Sequence, residues 1–358
     1  MKTMRKIILL AVVSMMIFGC SNEKDSLPAP ENGQMFELFA VNEPTDGVLA
    51  RNRPLYSQEA IQEVERVNIY VFQNSGSDYV YLKTYNVPGW TKGSTFMRFT
   101  VPDNDKLSAG DYEFLVVGQE ATDNYTLTAP AVGVTKIGDM VATITAPGNE
   151  SEIFAGLQAA MVTSEGVRVS MQMTRKVAGV LGYFKNVPAN LNNTTVKYLR
   201  LIVSNADTQV GLANGVGMNP TGSAFRIIDA DLSGQSVTST GVYSGNDLTA
   251  QGVVKLANSQ LYGRFLLPVG TVTMTLGLYD ANNNPLKTWT VVDGASSTLN
   301  ITANHFYSLG RKVNKGDTTG GGTPDTGDDD SAVDLLKDQV IVLSIDPSWN
   351  TIHNLVIQ

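Results

Sequence analysis

The sequence predicts an all-β protein made of two antiparallel β-sandwiches in series. Apolar residues recur at every second position in one segment after another, the pattern of strands with one buried face. Clusters of Gly, Asn, Asp, Ser and Pro separate these segments as turns do. Helical periodicity is confined to one short run, 57–66 (SQEAIQEVER). At 358 residues, 42% hydrophobic and 17% charged, the chain is long enough for two domains with cores of their own.

Residues 1–19 form no part of that fold. Lys2, Arg5 and Lys6 precede an apolar stretch, 7–18, which is too short for a stable membrane span and has the length of a signal peptide. It ends in Ile17-Phe18-Gly19-Cys20, the order of a bacterial lipobox: aliphatic, variable, small, cysteine. Cys20 is the only cysteine and stands where cleavage is due, so the sequence predicts an exported lipoprotein acylated at its sulfur. Each buried methylene then contributes roughly 0.8 kcal/mol of membrane affinity. The polar segment 21–32 is a tether.

The first strand, 34–41 (QMFELFAV), is apolar on both faces apart from Glu37, which predicts a central, buried position. A loop with Arg51 and Arg53 follows it. Residues 64–72 and 79–85 form a hairpin, then come strands at 95–101 and 111–117. After a looser region, 166–173 (GVRVSMQM) closes a first antiparallel unit, expected to span 54–174. A second unit, 175–313, takes its best strands from 176–184, 196–204, 261–267, 272–279 and 287–292, and 299–313 (LNITANHFYSLGRKV) closes it. Between them, 205–257 is rich in Gly and Ser and predicts long loops with short strands. A Gly- and Asp-rich linker, 314–332, leads to the tail, 333–358. In that tail Ile341, Leu343, Ile345, Pro347 and Trp349 form an apolar stripe of period two, broken at Thr351 and His353 and resumed at Leu355 and Ile357.

Chemistry finds little support. The net charge of −8 and pI near 4.9 argue against nucleic acid and against attraction to anionic lipid. One cysteine gives neither a disulfide framework nor a thiolate metal cluster. His305 and His353 are the only histidines, and no nucleophile–base pair is in view. His305, beside Phe306 and Tyr307, reads as a structural histidine. Glu59, Glu63 and Glu65 read as the solvated face of a one-turn helix, and Asp328, Asp329 and Asp330 as a solvated linker without calcium-loop spacing. No glycine-rich phosphate loop opens a helix, and no concentrated aromatic run marks a carbohydrate platform. Neither a catalytic residue, a metal site nor a cofactor is expected.

The order of parts carries more than any single motif. The Cys20 lipobox, the Arg51/Arg53 loop before VERVNIYVF, the DYEFLVV strand, the NHFYSL run (304–309) and the Trp349-bearing tail together resemble the fimbrillin family, shaft subunits of type V pili. The resemblance covers essentially the whole chain. It implies two transthyretin-like sandwiches, delivery to the outer membrane of a Gram-negative bacterium through Cys20, and residence in a fimbria that supports adhesion and colonisation. It also implies that an arginine-specific protease cuts the loop after the first strand, removing residues 20–53. Of the two sites Arg51 is favoured, because Pro54 follows Arg53. The strand bearing Phe36, Leu38, Phe39 and Val41 would then leave, opening a groove with unpaired backbone groups.

The tail of another copy or of a related subunit would add there, centred on Ile341, Leu343, Ile345 and Trp349, with Leu355 and Ile357 as a second anchor. An anchor that keeps its first strand or a tip without a donor tail is the alternative within the family. A glycan-binding surface lipoprotein and an exported hydrolase are the alternatives outside it.

Overall fold

The computed structural model describes residues 33–40, 62–294, 296–312, 327, 329–337, 340–347 and 349. Among them there is no α-helix, only isolated turns of 3-10 helix between strands. The N-terminal half supplies β1 (Gly33–Ala40), β2 (Arg66–Asn74), β3 (Tyr79–Val87), β4 (Phe96–Thr100) and β5 (Gly110–Gln119). It continues with β6 (Tyr125–Leu127), β7 (Val141–Ile144), β8 (Ile153–Val162) and β9 (Gly166–Arg175). Next come β10 (Ala178–Lys185), β11 (Asn190–Leu191), β12 (Thr194–Thr195), β13 (Tyr198–Val203), β14 (Asp207–Gly211), β15 (Gly217–Pro220) and β16 (Phe225–Asp231). The body ends with β17 (Ser259–Leu266), β18 (Val269–Val272), β19 (Met274–Tyr279), β20 (Pro285–Val292), β21 (Leu299–Ile301) and β22 (Phe306–Leu309). Beyond them lie β23 (Val333–Asp334), β24 (Ile341–Val342) and β25 (Ser344–Asp346).

A seven-stranded sheet runs in the order β3-β2-β5-β8-β9-β1-β4. It curls so that its two ends face each other, and Tyr85 of β3 meets Phe99 of β4 at 5.9 Å between ring centroids. Inside lie Phe36, Leu38, Ile69, Val71, Phe114, Phe154 and Met173. Every pairing in this sheet is antiparallel except β1 with β9, whose ladder is parallel. A parallel partner cannot be reached by a tight turn, so β1 arrives from far away in the chain and is slotted between β9 and β4.

The second half packs β17-β10-β22-β25 against β16-β13-β19-β20-β24 around Leu199, Leu201, Leu276, Leu278, Trp289 and Tyr307. A four-stranded sheet, β15-β14-β7-β6, draws strands from both halves, with Gln209–Gly211 antiparallel to Val141–Thr143. Its core mixes Val210, Leu212 and Leu267 with Phe72, Leu115 and Ile153. The two halves are therefore joined by a shared ladder as well as by the chain.

Most alternating segments are strands within a residue or two of the expected bounds. The departures have physical reasons. Among the described residues of the expected helix 57–66, Gln62–Glu65 is irregular and Arg66 opens β2. The Gln62 side chain, buried, is spent on the backbone of Ser94 and Val64 instead. The looser region before 166 contains β8 (IFAGLQAAMV), which lacks alternation because its first half is covered on both faces. The closing stretch 299–313 is two strands, interrupted where Asn304 adopts a left-handed φ of 58°. Segment 205–257 holds β14, β15 and β16 between long loops.

Gly156 of β8 is a point of very close approach in the sheet, since a Cβ there would stand 2.0 Å from the Gln172 carbonyl oxygen of β9. Gly156→Ala is expected to push these strands apart and cost about 1–3 kcal/mol, read as a lower urea midpoint. An unchanged midpoint would mean that the sheet yields freely here.

Candidate functional site

Two segments singled out in the sequence, the first strand and the tail, are the places where function is to be sought. In β1 alternate side chains do different work. Phe36 and Leu38 are fully buried, with Phe36 edge-on to Phe114 at 4.9 Å. Each such side chain contributes roughly 1.5–3 kcal/mol through burial. Phe39 is not in the core: it points outward, 38% exposed, and lies 4.9 Å from Phe96 across the pair. Val41 falls outside the described residues.

Glu37, the one charge in this apolar strand, lies on the outer face yet is only 5% exposed. Arg168 of β9 grips it with two bonds, Nε to Oε2 at 2.9 Å and Nη2 to Oε1 at 2.6 Å. Arg98 of β4 donates Nε to Oε1 at 3.0 Å, and Ser170 Oγ donates to Oε2 at 3.2 Å. The Arg168 hydrogen bonds above all hold the Glu37 carboxyl down at about 2, despite burial pushing the other way. The carboxylate thus staples β1 to both neighbours. At the start of the strand, the Gln34 amide donates to the Leu107 carbonyl at 2.7 Å and accepts from its N–H at 2.8 Å.

The residues on either side of segment 41–61 are fastened to one turn. Ala40 N–H donates to Thr95 O at 3.0 Å, Gln62 Nε2 to Ser94 O at 3.0 Å, and Gly93 N–H to Gln62 O at 3.0 Å. Arg51, Arg53 and Glu59 lie within that segment, outside the described residues, as do Cys20 and His353 elsewhere. Glu63 and Glu65 are not a free solvated face, because Lys92 Nζ reaches them at 2.5 and 3.4 Å.

The tail lies on its own chain. β23 pairs with β10, and Leu335 N–H donates to Lys185 O at 3.1 Å. β24 runs parallel to β20, whereas β25 runs antiparallel to β22. The segment thereby crosses from one sheet of the second sandwich to the other. Ile341 and Leu343 are buried in its core and Ile345 is partly buried against it. Asp346, which lies off the apolar stripe, is nevertheless only 4% exposed, because the strand changes sheets after Leu343. Leu355 and Ile357 lie outside the described residues. Within the expected acidic linker, Asp330 is no solvated residue. Its carboxylate pairs with Lys312 at 3.3 Å and accepts from the Tyr183 hydroxyl at 3.0 Å, with both charged side chains fully buried.

Trp349 is buried on the far face of β10 and β22, against Phe306 at 5.3 Å and Phe265 at 5.8 Å. Gly179 makes the seat, since a Cβ there would stand 2.6 Å from the indole. The guanidinium of Arg175 lies 4.2 Å from the indole centroid. Arg175 is fully buried and pairs through Nε with Glu152 Oε1 at 2.6 Å. Glu152 Oε2 in turn accepts the Glu63 N–H at 2.7 Å, and Glu152 N–H donates to Glu120 Oε1 at 3.0 Å. Burial, reinforced by the charges of Glu152 and Glu63, pushes the Glu120 carboxyl up to about 7, against the Glu152 N–H bond and Lys92. Neither the Glu37 clasp nor this junction follows from local pattern. The available signal is that Glu37 and Arg98 are each the lone charge of an apolar strand.

Among the described residues no group of three or more His, Cys, Asp or Glu could hold a metal. His305 Nδ1 stands 2.9 Å from Ala303 O, and its ring stacks on Tyr307 at 6.3 Å, a structural arrangement.

Residues 49–335 match the family model described as fimbrillin-A associated anchor proteins Mfa1 and Mfa2. No curated protein matches the chain. Solved structures that resemble it include one described as a candidate adhesin from Bacteroides ovatus, 12% identical, covering 73% of this chain and 78% of that one, with a TM-score of 0.44. A candidate cell adhesion protein from Parabacteroides distasonis is 11% identical, covering 88% and 96%, with a TM-score of 0.44. A fimbrial assembly protein from Parabacteroides distasonis is 12% identical, covering 79% and 93%, with a TM-score of 0.36.

Two pH dependences follow. The depressed Glu37 contributes stability that is complete above its ordinary value of 4.5 and is lost as pH falls through about 2. Glu37→Gln should therefore lower the thermal midpoint at pH 7, by roughly 2–4 °C for each kcal/mol lost, and abolish that acid-side slope. The raised Glu120 works in the opposite sense: its stability is complete below 4.5 and lost as pH rises through about 7. Glu120→Gln should leave the midpoint unchanged near pH 4 and raise it at pH 8, both measured by calorimetry.

Proposed function

This chain belongs to the family of fimbrillin-A associated anchor proteins Mfa1 and Mfa2, and from that premise we propose that it is a fimbrial component of the anchor kind, one that keeps its first strand. The family makes it a cell-surface fimbrial protein and not an enzyme. In the proposed role Cys20 carries the lipid that holds residues 20–358 at the outer membrane, and the β-rich body meets other fimbrial subunits. We read 54–174 and 175–313 as its two units, 314–332 as the connection and 333–358 as the appendage.

The observation that carries this reading is the Glu37 clasp. A strand meant to leave gains nothing from a carboxylate fixed by Arg168 and Arg98 on both sides. Removing it would strand two arginines and open the space now filled by Phe36 and Leu38. The tail supports the same reading, since Ile341, Leu343 and Trp349 are already buried in their own chain.

A second reading is a polymerising shaft subunit, cut after Arg51 or Arg53 by an arginine-specific protease and joined by strand exchange. It is favoured by one observation: Phe36 and Leu38 alternate at the centre of the first core, so a departing β1 would leave a groove with the period of Ile341, Leu343 and Ile345.

Native trypsin digestion of residues 21–358 separates the two. The anchor reading expects any fragment cut at Arg51 to stay bound through gel filtration at pH 7, with no SDS-resistant ladder. A ladder that disappears when the chain is ended at Asp330 or carries Arg51→Ala and Arg53→Ala would establish the shaft reading instead. In cells, Cys20→Ala should move the protein out of the outer-membrane fraction.

A further inference from the structure

We propose that the tail and the base of segment 41–61 are energetically coupled through Arg175, so that withdrawing Trp349 loosens the N-terminal segment and loosening that segment releases the tail. The path is one continuous run of contacts between two parts of the chain that lie far apart in sequence.

Trp349 lies over one face of the Arg175 guanidinium at 4.2 Å, and Phe154 of β8 lies 5.0 Å from the same group. Arg175 is thus held between a side chain of the tail and one from the first core. Its Nε donates to Glu152 Oε1 at 2.6 Å, and both side chains are essentially sealed from water, at 0% and 1% exposure. The second oxygen of Glu152 accepts the Glu63 N–H at 2.7 Å. Glu63 itself pairs with Lys92 at 2.5 Å, on the turn that also receives Ala40 and Gln62. From the indole to the turn that fastens both ends of 41–61, each group touches the next.

Burial makes this run respond as a unit. A buried ion pair holds only while water is excluded and its partners stay in place. Trp349 excludes water from one side of Arg175. With the indole gone the guanidinium is open to hydration, which competes with Glu152, and a carboxylate free to turn gives up its bond to Glu63. Gly179 shows that the seat is fitted to the ring, since any side chain there would collide with it. The coupling must be reciprocal, because each end shifts the same equilibrium. It is a property of the single chain and stands whether the protein is an anchor or a shaft subunit.

Hydrogen exchange on residues 21–358 tests it without reference to fimbriae. The Glu63 amide is the reporter, because it donates to Glu152 Oε2. In Trp349→Ala the Glu63 and Val64 amides should exchange roughly tenfold faster, within the 5–150-fold span of ordinary site-to-site coupling. Faster exchange confined to residues that touch the indole, around Gly179 and Phe306, would overturn the proposal. Should Trp349→Ala fail to fold, the reverse experiment decides. Glu152→Gln should accelerate exchange at Ser344 and Asp346 by a similar factor, and an unchanged tail refutes the coupling. In an Arg175→Lys background, Trp349→Phe should no longer alter Glu63. An effect that persists there would route the communication elsewhere and sink the role of Arg175.

Discussion

The parallel pairing of β1 with β9 is the constraint on which the first half depends. Its ladder covers Gly33–Ala40 against Gly166–Met173, while the other edge of β1 takes β4. Without β1 the seven-stranded sheet would lose the strand between β9 and β4, and Phe36 would leave its contacts with Phe114, Tyr85 and Phe99. Nothing local holds it there, since its partners lie in distant parts of the sequence. Its retention rests on burial of Phe36 and Leu38, on two ladders and on the Glu37 clasp. This is why the least ordinary strand of the sheet is also the one on which the proposed function turns.

The same dependence appears at the other end of the chain. The tail contributes only short ladders to two sheets, yet it buries Ile341 and Leu343 in one core and Trp349 in another. Short ladders with deep side chains make an element whose hold is mostly apolar, with little backbone register to oppose a rearrangement. Trp349 is the exception, because Gly179 and Arg175 shape its seat.

Alternation made the fold class and most strands legible, as in β9, where one face is wet and the other dry. It failed at β8, where Ala155 and Gly156 are enclosed on both sides and the spacing carries no signal. The pairing partner of β1 was not legible, because parallel neighbours leave no turn between them. Charge was misleading for a related reason. Glu63 and Asp330 stand in polar company along the chain and in ion pairs with Lys92 and Lys312 in space. The tail's stripe was legible as a strand, but its owner was not. A greasy face states that a sheet is needed, and long-range closure decides which.

The clasp also bears on what could replace β1. Any incoming strand must put apolar side chains at the places of Phe36 and Leu38 and a carboxylate between them, or leave Arg168 and Arg98 facing an empty site. Within 333–358 three acids could stand at the place of Glu37, and only Asp334 puts two apolar residues, Val333 and Leu335, at the places of Phe36 and Leu38. Asp346 at the place of Glu37 puts Ile345 and Pro347 inward, in either strand direction, and the proline removes a donor N–H from a strand flanked on both sides. Asp338 in that place turns Lys337 and Gln339 into the core. Registers centred on Leu343 set Val342 and Ser344 outward, and neither can meet an arginine as a carboxylate does. Against this chain's own groove the 341–349 stripe of its own tail is a poor substitute for its own first strand. Cutting the loop would not change that comparison, because it alters the effective concentration of β1 and none of its contacts. A strand that displaced β1 would have to carry an acid flanked by two apolar residues, which in this tail is met at Val333-Asp334-Leu335 and not by the 341–349 stripe.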